Sequence, residues 1–213
     1  MQKLGKQTIK FNNPPTIVDC ACIVGPKEAD GPLAKYFDKC LDNEMWGEKT
    51  WEKAESKIIK ETVNTAISKS GVATDDIEYC FAGDLLNQCI SSGYCIRDLQ
   101  VPFFGLYGAC STFCESLTLA SLFVNAGYAK KAIASTSSHF CSAERQFRMP
   151  LEHGNQLSST AQCTVTGSGA ALIVPSDIEI SSPYITYVTP RKNNRQGNQR
   201  YGKYGSCNGT SSI

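Results

Sequence analysis

The sequence predicts an α/β fold with a largely parallel central sheet, and three observations carry that prediction. Short apolar runs of strand length at 16–24, 77–82, 101–106 and 131–135 alternate with longer segments whose apolar residues recur at helical spacing. Glycine, proline and small polar residues punctuate the connections between them. Polar clusters follow three of the strands, at the carboxyl ends where open α/β sheets bind ligands.

The elements follow in order. Residues 16–24 form the first strand, and Gly-Pro-Lys-Glu-Ala-Asp-Gly-Pro at 25–32 then breaks helix and sheet alike, reading as a polar loop that lines a surface or a cleft. Trp51, Ala54, Ile58, Val63 (or Thr62), Ala66 and Ile67 make a helical stripe, with Thr50 as N-cap and Gly71 as stop. Thr74, Asp75 and Asp76 form a solvated turn, to which no function is assigned, ahead of the strand at 77–82. A second helix covers 91–99, a strand covers 101–106, and a third helix opens behind Cys110. Residues 131–135 supply the next strand, and residues 162–174, interrupted by Gly167-Ser168-Gly169, read as the two strands of a hairpin.

Composition narrows the class. A chain of 213 residues with 41% hydrophobic content fills one good core and not two. The net charge of +1 gives no support for a nucleic-acid partner, although residues 191–213 carry five basic and no acidic residues and leave residues 1–190 near −4. No stretch approaches the roughly 20 apolar residues of a membrane span, and residues 1–10 lack an apolar signal segment, so the expectation is a cytosolic chain. The 11 cysteines are odd in number and irregularly spaced, which predicts reduced thiols. Neither Cys20-x-Cys22 nor Cys110-x3-Cys114 has a partner pair at zinc-site spacing, so no metal and no cofactor is expected.

The candidate site begins at Cys110. Gly108 and Ala109 let the backbone bend tightly, Ser111 and Thr112 cap the helix that Phe113, Leu117, Ala120 and Val124 continue, and Cys110 lies at its N-terminus. Unpaired N–H groups and the helix dipole favour a thiolate there, the condition for nucleophilic chemistry, although a cysteine is also a common core residue. Asp84, Asn87 and Gln88 follow one predicted strand, Cys110 another, and Ser137-Ser138-His139 a third. His139 is either a satisfied core histidine or a site residue. The basic pair Arg145 and Arg148 either holds a carboxylate ligand or forms a solvated face.

Read together, Gly-Asp-Leu-Leu-Asn-Gln at 83–88, Gly-Ala-Cys-Ser-Thr at 108–112, Ser-Ser-His at 137–139, Ala-Glu-Arg-Gln-Phe-Arg at 143–148 and Thr-Val-Thr-Gly-Ser-Gly-Ala at 164–170 resemble the stage V sporulation protein AD family. Gly-Pro-Lys-Glu-Ala-Asp-Gly-Pro-Leu at 25–33 fits as well, and the likeness spans about residues 1–190. More distantly, the Ala-Cys-Ser turn is similar to the nucleophile turn of thiolases and ketoacyl synthases. The resemblance implies a thiolase-like αβαβα architecture of two similar halves, of which residues 1–190 make the N-terminal one. It implies dipicolinic acid as ligand, in the uptake and release of calcium dipicolinate with the other proteins of the SpoVA channel complex. It also implies a peripheral position on the cytoplasmic side of the inner spore membrane and a homodimer at full length. The ligand is a flat ring with two carboxylates, and Cys110, Asp84, Asn87, Gln88, His139 and Arg145 are the candidate contacts. The alternative is an acyltransferase with Cys110 as nucleophile. The histidines of that mechanism are expected in the second half of the fold, whereas His139 and His153 lie in the first.

After Pro190 the sequence changes character. Residues 191–200 hold no apolar residue except glycine. A basic disordered tail is one reading. Another is a single-base insertion near codon 191, because re-reading each codon one base later allows GKIIDKGIKDMGNMGAAMAPAA, the continuation that the family resemblance leads one to expect. On this expectation the 213-residue product exposes apolar helix surface, dissolves poorly and holds ligand weakly or not at all.

Overall fold

A computed structural model describes residues 1–147, 164–176 and 182–190. A six-stranded sheet organises them, built from β3 (Thr16–Val24), β4 (Lys39–Cys40), β5 (Tyr79–Gly83), β6 (Phe103–Gly105), β7 (Ala132–Ser138) and β8 (Gly167–Val174), in the order β4-β3-β8-β7-β5-β6. β3/β4, β5/β7 and β5/β6 pair in parallel, and β8 runs antiparallel to both β3 and β7. The sheet is therefore mixed, with five strands in one direction and one reversed. A small antiparallel sheet, β1 (Gln2–Leu4), β2 (Thr8–Lys10) and β9 (Tyr187–Val188), lies beside the amino end of β3, where Ile17 N–H donates to Pro183 O at 2.8 Å.

The predicted hairpin at 162–174 is corrected. Within the described residues, Gly167-Ser168-Gly169 is not a turn but the first part of one continuous strand. The reason is close packing: a Cβ on Gly167 would stand 2.9 Å from Ile23 O, so only glycine lets β8 lie against β3 there. The polar loop at 25–32 also carries one helical turn, α1 (Pro26–Ala29), started by Pro26 in its first turn.

Helix α2 (Trp51–Ser70) matches its predicted limits because its signals are local. Thr50 Oγ1 accepts from Lys53 N–H at 3.3 Å, and Gly71 closes the helix at φ 69°. α2 and α3 (Ile90–Leu99) cover one face of the sheet through Ile59, Val63, Cys95 and Ile96 against Cys80, Ala82, Ile133, Leu172 and Val174. Helix α4 (Thr112–Asn125) covers the other through Ala120 and Val124 against Phe81, Ala134, Ala171 and Ile173. The period-2 alternation of each strand feeds both layers, as a buried α/β sheet requires. On α4, Phe113, Leu117, Leu119, Leu122 and Phe123 are only half-buried. No described helix is long and apolar enough to cross a membrane.

Candidate functional site

Two facing turns make the exposed part of the site. β5 and β6 are parallel neighbours, so the loop after Gly83 and the turn after Gly105 emerge at the same end of the sheet. Their approach is tight: a Cβ on Gly83 would lie 2.0 Å from Leu106 O and 2.8 Å from Thr112 Cγ2. Leu106 N–H donates to Ala82 O at 2.9 Å, Cys89 Sγ donates to Leu106 O at 3.2 Å, and Tyr107 OH donates to Leu85 O at 3.4 Å. Gln88, Cys89 and Ala109 adopt left-handed backbone at φ 65°, 53° and 48°, and each such non-glycine residue costs on the order of 1 kcal/mol. Two further non-glycine residues, Trp46 and Gln100, share this conformation away from the two turns, at φ 42° and 55°.

Cys110 is exposed in a single 3-10 turn, Ala109–Ser111, that leads into α4. Ser111 and Thr112 do not cap the helix as their types predict; their hydroxyls close the turn itself. Ser111 Oγ donates to Gly108 O at 2.7 Å, while Thr112 Oγ1 donates to Ala109 O at 2.8 Å and accepts from Gly108 N–H at 3.1 Å. Asn87 and Gln88 are exposed on the opposing loop.

Asp84 sits behind that loop and holds it. Its carboxylate is 1% exposed, accepting from Leu86 N–H at 2.8 Å, Ser92 N–H at 2.8 Å and Ser92 Oγ at 2.7 Å, which caps the start of α3. His139 is fully buried at the end of β7. Its Nδ1 accepts from Cys141 N–H at 3.3 Å and its Nε2–H donates to Glu44 O at 3.0 Å, so the ring caps α5 (Phe140–Phe147) and pins the 41–50 loop. Arg145, on α5, packs over the Trp51 ring at 4.5 Å and pairs with Glu52 at 3.4 Å. Cys110 and the pair Asn87 and Gln88 are thus exposed on two adjoining turns, with Asp84 behind the second, while His139 and Arg145 belong to the junction of α5 with α2. Arg148 and His153 lie outside the described residues.

A buried carboxyl escaped the reading of the sequence. Glu55 lies on the apolar stripe of α2, three residues before Ile58 and four before Ile59, and is 0% exposed. It accepts from Ser137 Oγ at 3.0 Å and Ser142 Oγ at 3.0 Å. Burial, reinforced by the Asp84 carboxylate, pushes Glu55 up to about 7 against the lowering effect of the serine hydroxyls. Its signal in the sequence was a charge on the buried face of a helix. Among the described residues, no group of three or more His, Cys, Asp or Glu could hold a metal ion, and the cysteines form no disulfide.

The layered half-fold with a cysteine turn at the strand ends defines a thiolase-like α/β protein. Solved structures of that class superpose on it. They include acetamide-bound OleA of Xanthomonas campestris (TM-score 0.58, 15% identity, 84% of this chain and 63% of that one) and the priming β-ketosynthase of the R1128 polyketide pathway (TM-score 0.51, 17% identity, 82% and 54%). The 3-oxoacyl-[acyl-carrier-protein] synthase III of Aquifex aeolicus is similar as well (TM-score 0.52, 15% identity, 77% and 55%). At such identities the likeness is one of fold. The particular family follows from the sequence: residues 5–211 match the model of the stage V sporulation protein AD family, and the chain belongs to it. It is 46% identical over 191 residues to stage V sporulation protein AD of Bacillus subtilis, covering 89% of this chain and 56% of that protein, so it spans about half the length of its curated relative.

Proposed function

We propose that this chain carries half of a dipicolinate-binding cleft in a sporulation component without turnover, which moves calcium dipicolinate together with the other proteins of the SpoVA channel complex. In this reading the protein sits peripherally on the cytoplasmic side of the inner spore membrane, and at full length it is a homodimer. Cys110, Asn87 and Gln88 contact the ligand. The backbone N–H groups at the start of α4 and the two side-chain amides suit the carboxylates of a flat aromatic diacid. Asp84 and His139 act from behind, by fixing the loop after β5 and the start of α5.

One observation carries the preference for binding over acyl transfer: Cys110 is exposed, while His139 is fully buried with both ring nitrogens engaged. Acyl transfer needs a base within hydrogen-bond reach of the nucleophile or its substrate, and His139 is not free to be that base.

The test is calorimetric titration of dipicolinate into residues 1–190 continued by the remaining length of the Bacillus subtilis relative. The reading expects saturable binding that benzoate does not reproduce, weakened about tenfold by Asn87→Ala with Gln88→Ala, as loss of 1.4 kcal/mol entails. Unchanged affinity in that double variant removes this half from the site. Stoichiometric acylation of Cys110 by an acyl thioester, abolished in Cys110→Ala, supports the acyltransferase instead.

A further inference from the structure

The small sheet β1-β2-β9 carries a charge pattern unlike that of the body it is attached to. Residues 1–18 hold Lys3, Lys6 and Lys10 and no acidic residue, and residues 182–190, which supply β9, hold no charged residue. Residues 19–190 hold 13 basic and 20 acidic residues. Positive charge is thus gathered on one appendage of an acidic domain. Several basic groups of the body are matched: Lys57, Lys60, Lys69, Lys131 and Arg145 each stand within 3.5 Å of a carboxylate. Among the described residues, Lys3 and Lys6 have no such partner, and Lys10 meets only the Tyr187 ring, at 5.8 Å.

Strand register turns this pattern into a surface. β1 pairs with β2 through Gln2↔Lys10 and Leu4↔Thr8, and β2 pairs with β9 through Lys10↔Tyr187. Cross-strand partners project to the same side, so Gln2, Leu4, Lys10 and Tyr187 share one face. The face is open, with Leu4 37% and Tyr187 49% exposed, whereas Val188 on the other side is buried. Lys6 stands in the turn between β1 and β2. Lys3 projects to the other side from the outermost strand, whose three residues are all exposed, and its long stem can bend round that free edge. Tyr184, 63% exposed, adjoins the sheet where it bridges Thr16. An open sheet face ordinarily turns polar residues to water, but here lysines alternate with aliphatic and aromatic side chains. The complement of such a face is an anionic layer with an apolar floor: tyrosine rings sit at headgroup depth in a bilayer, and lysine stems carry their charge to the phosphates.

Given the peripheral membrane position proposed above, on which this rests, we propose that the open face of β1-β2-β9 docks the protein on an anionic phospholipid surface, with Lys3, Lys6 and Lys10 at the phosphates and Leu4 and Tyr187 among the headgroups. The place of the sheet in the fold gives the docking a consequence. β1-β2-β9 lies beside the amino end of β3, whereas the loop at 84–89 and the Cys110 turn emerge at the carboxyl ends of β5 and β6, which run the same way as β3. The two surfaces stand at opposite ends of the main sheet, so the docked protein keeps its cleft open and binds lipid and dipicolinate without competition.

Vesicle flotation tests the docking, using residues 1–190 continued by the remaining length of the Bacillus subtilis relative, a chain without the basic residues of 191–213. The parent should float with vesicles of phosphatidylcholine mixed with phosphatidylglycerol, not with phosphatidylcholine alone, and high salt should release it. One lysine near an anionic surface strengthens binding about fivefold, so Lys3→Gln, Lys6→Gln and Lys10→Gln together should weaken it about a hundredfold. The three corresponding arginine substitutions should preserve it. Equal flotation of the parent and the triple glutamine variant, equal flotation with neutral and mixed vesicles, or no flotation of the parent overturns the docking face. Should the glutamine variant not fold, the salt dependence of the parent decides: release supports the docking and retention overturns it. Calorimetry with dipicolinate on the same preparations keeps the two readings apart. Dipicolinate binding alongside any overturning outcome removes the lipid surface and leaves the cleft, whereas charge-dependent flotation without dipicolinate binding removes the cleft and leaves the lipid surface.

Discussion

Gly83 and Leu106 stand so close that a methyl group on the first would lie 2.0 Å from the carbonyl oxygen of the second. This contact seats the end of β5 against the turn that presents Cys110, and so sets the distance between the two faces of the proposed cleft. Gly83→Ala should cost about 3 kcal/mol in urea unfolding, the upper part of the overpacking range, because the obstacle is backbone and cannot rotate away. A cost under about 1 kcal/mol would mean that the two turns move apart freely.

Asp84→Asn tests a second relationship, the one between the loop and the buried cluster. The substitution removes the charge that three donors solvate, and each hydrogen bond to a charged group contributes about 1.5–3 kcal/mol. It also removes the carboxylate that raises Glu55. The expected outcome is lower stability with a pH dependence moved to lower pH; a pH profile parallel to that of the parent contradicts the coupling.

His139→Ala should act on α5 and on the 41–50 loop rather than on Cys110. Loss of the cap and of the bond to Glu44 O is expected to cost about 1–2 kcal/mol. Trp46 fluorescence should change, while the alkylation rate of Cys110 stays as it was. A faster Cys110 reaction would place His139 in the cleft.

Thr50→Ala isolates the N-cap of α2. Its single side-chain bond to Lys53 N–H predicts a loss of about 1 kcal/mol with no change in the pH profile. Thermal unfolding at two pH values checks both parts.

These elements differ in how far the sequence revealed them. α2 was legible to its ends because Thr50 and Gly71 act on the helix they bound. The strands β5, β6 and β7 were legible as apolar runs, and with them the gathering of the loop at 84–89 and the Cys110 turn at one end of the sheet. The reversal of β8 was not, since direction is fixed by a connection through residues remote from the strand, and its glycines imitate a turn when only local propensity is weighed. β1, β2, β4 and β9 have two or three residues each, too few to show a period. Types such as Asp84 and His139 drew attention as site residues, yet their hydrogen-bond partners are close in sequence or supplied by a loop 95 residues away, and only the structure shows those bonds satisfied. Glu55 escaped because a charge on a helix is ordinarily solvated, and the serines that receive it lie 82 and 87 residues downstream.

The most direct measurement is the rate of Cys110 alkylation with and without dipicolinate, in residues 1–190 continued by the remaining length of the Bacillus subtilis relative. If the Cys110 turn and the loop at 84–89 form the two sides of the ligand cleft, dipicolinate slows Cys110 saturably and leaves the exposed Cys20 unaffected. Equal rates with and without ligand, or equal protection of both cysteines, would contradict the account.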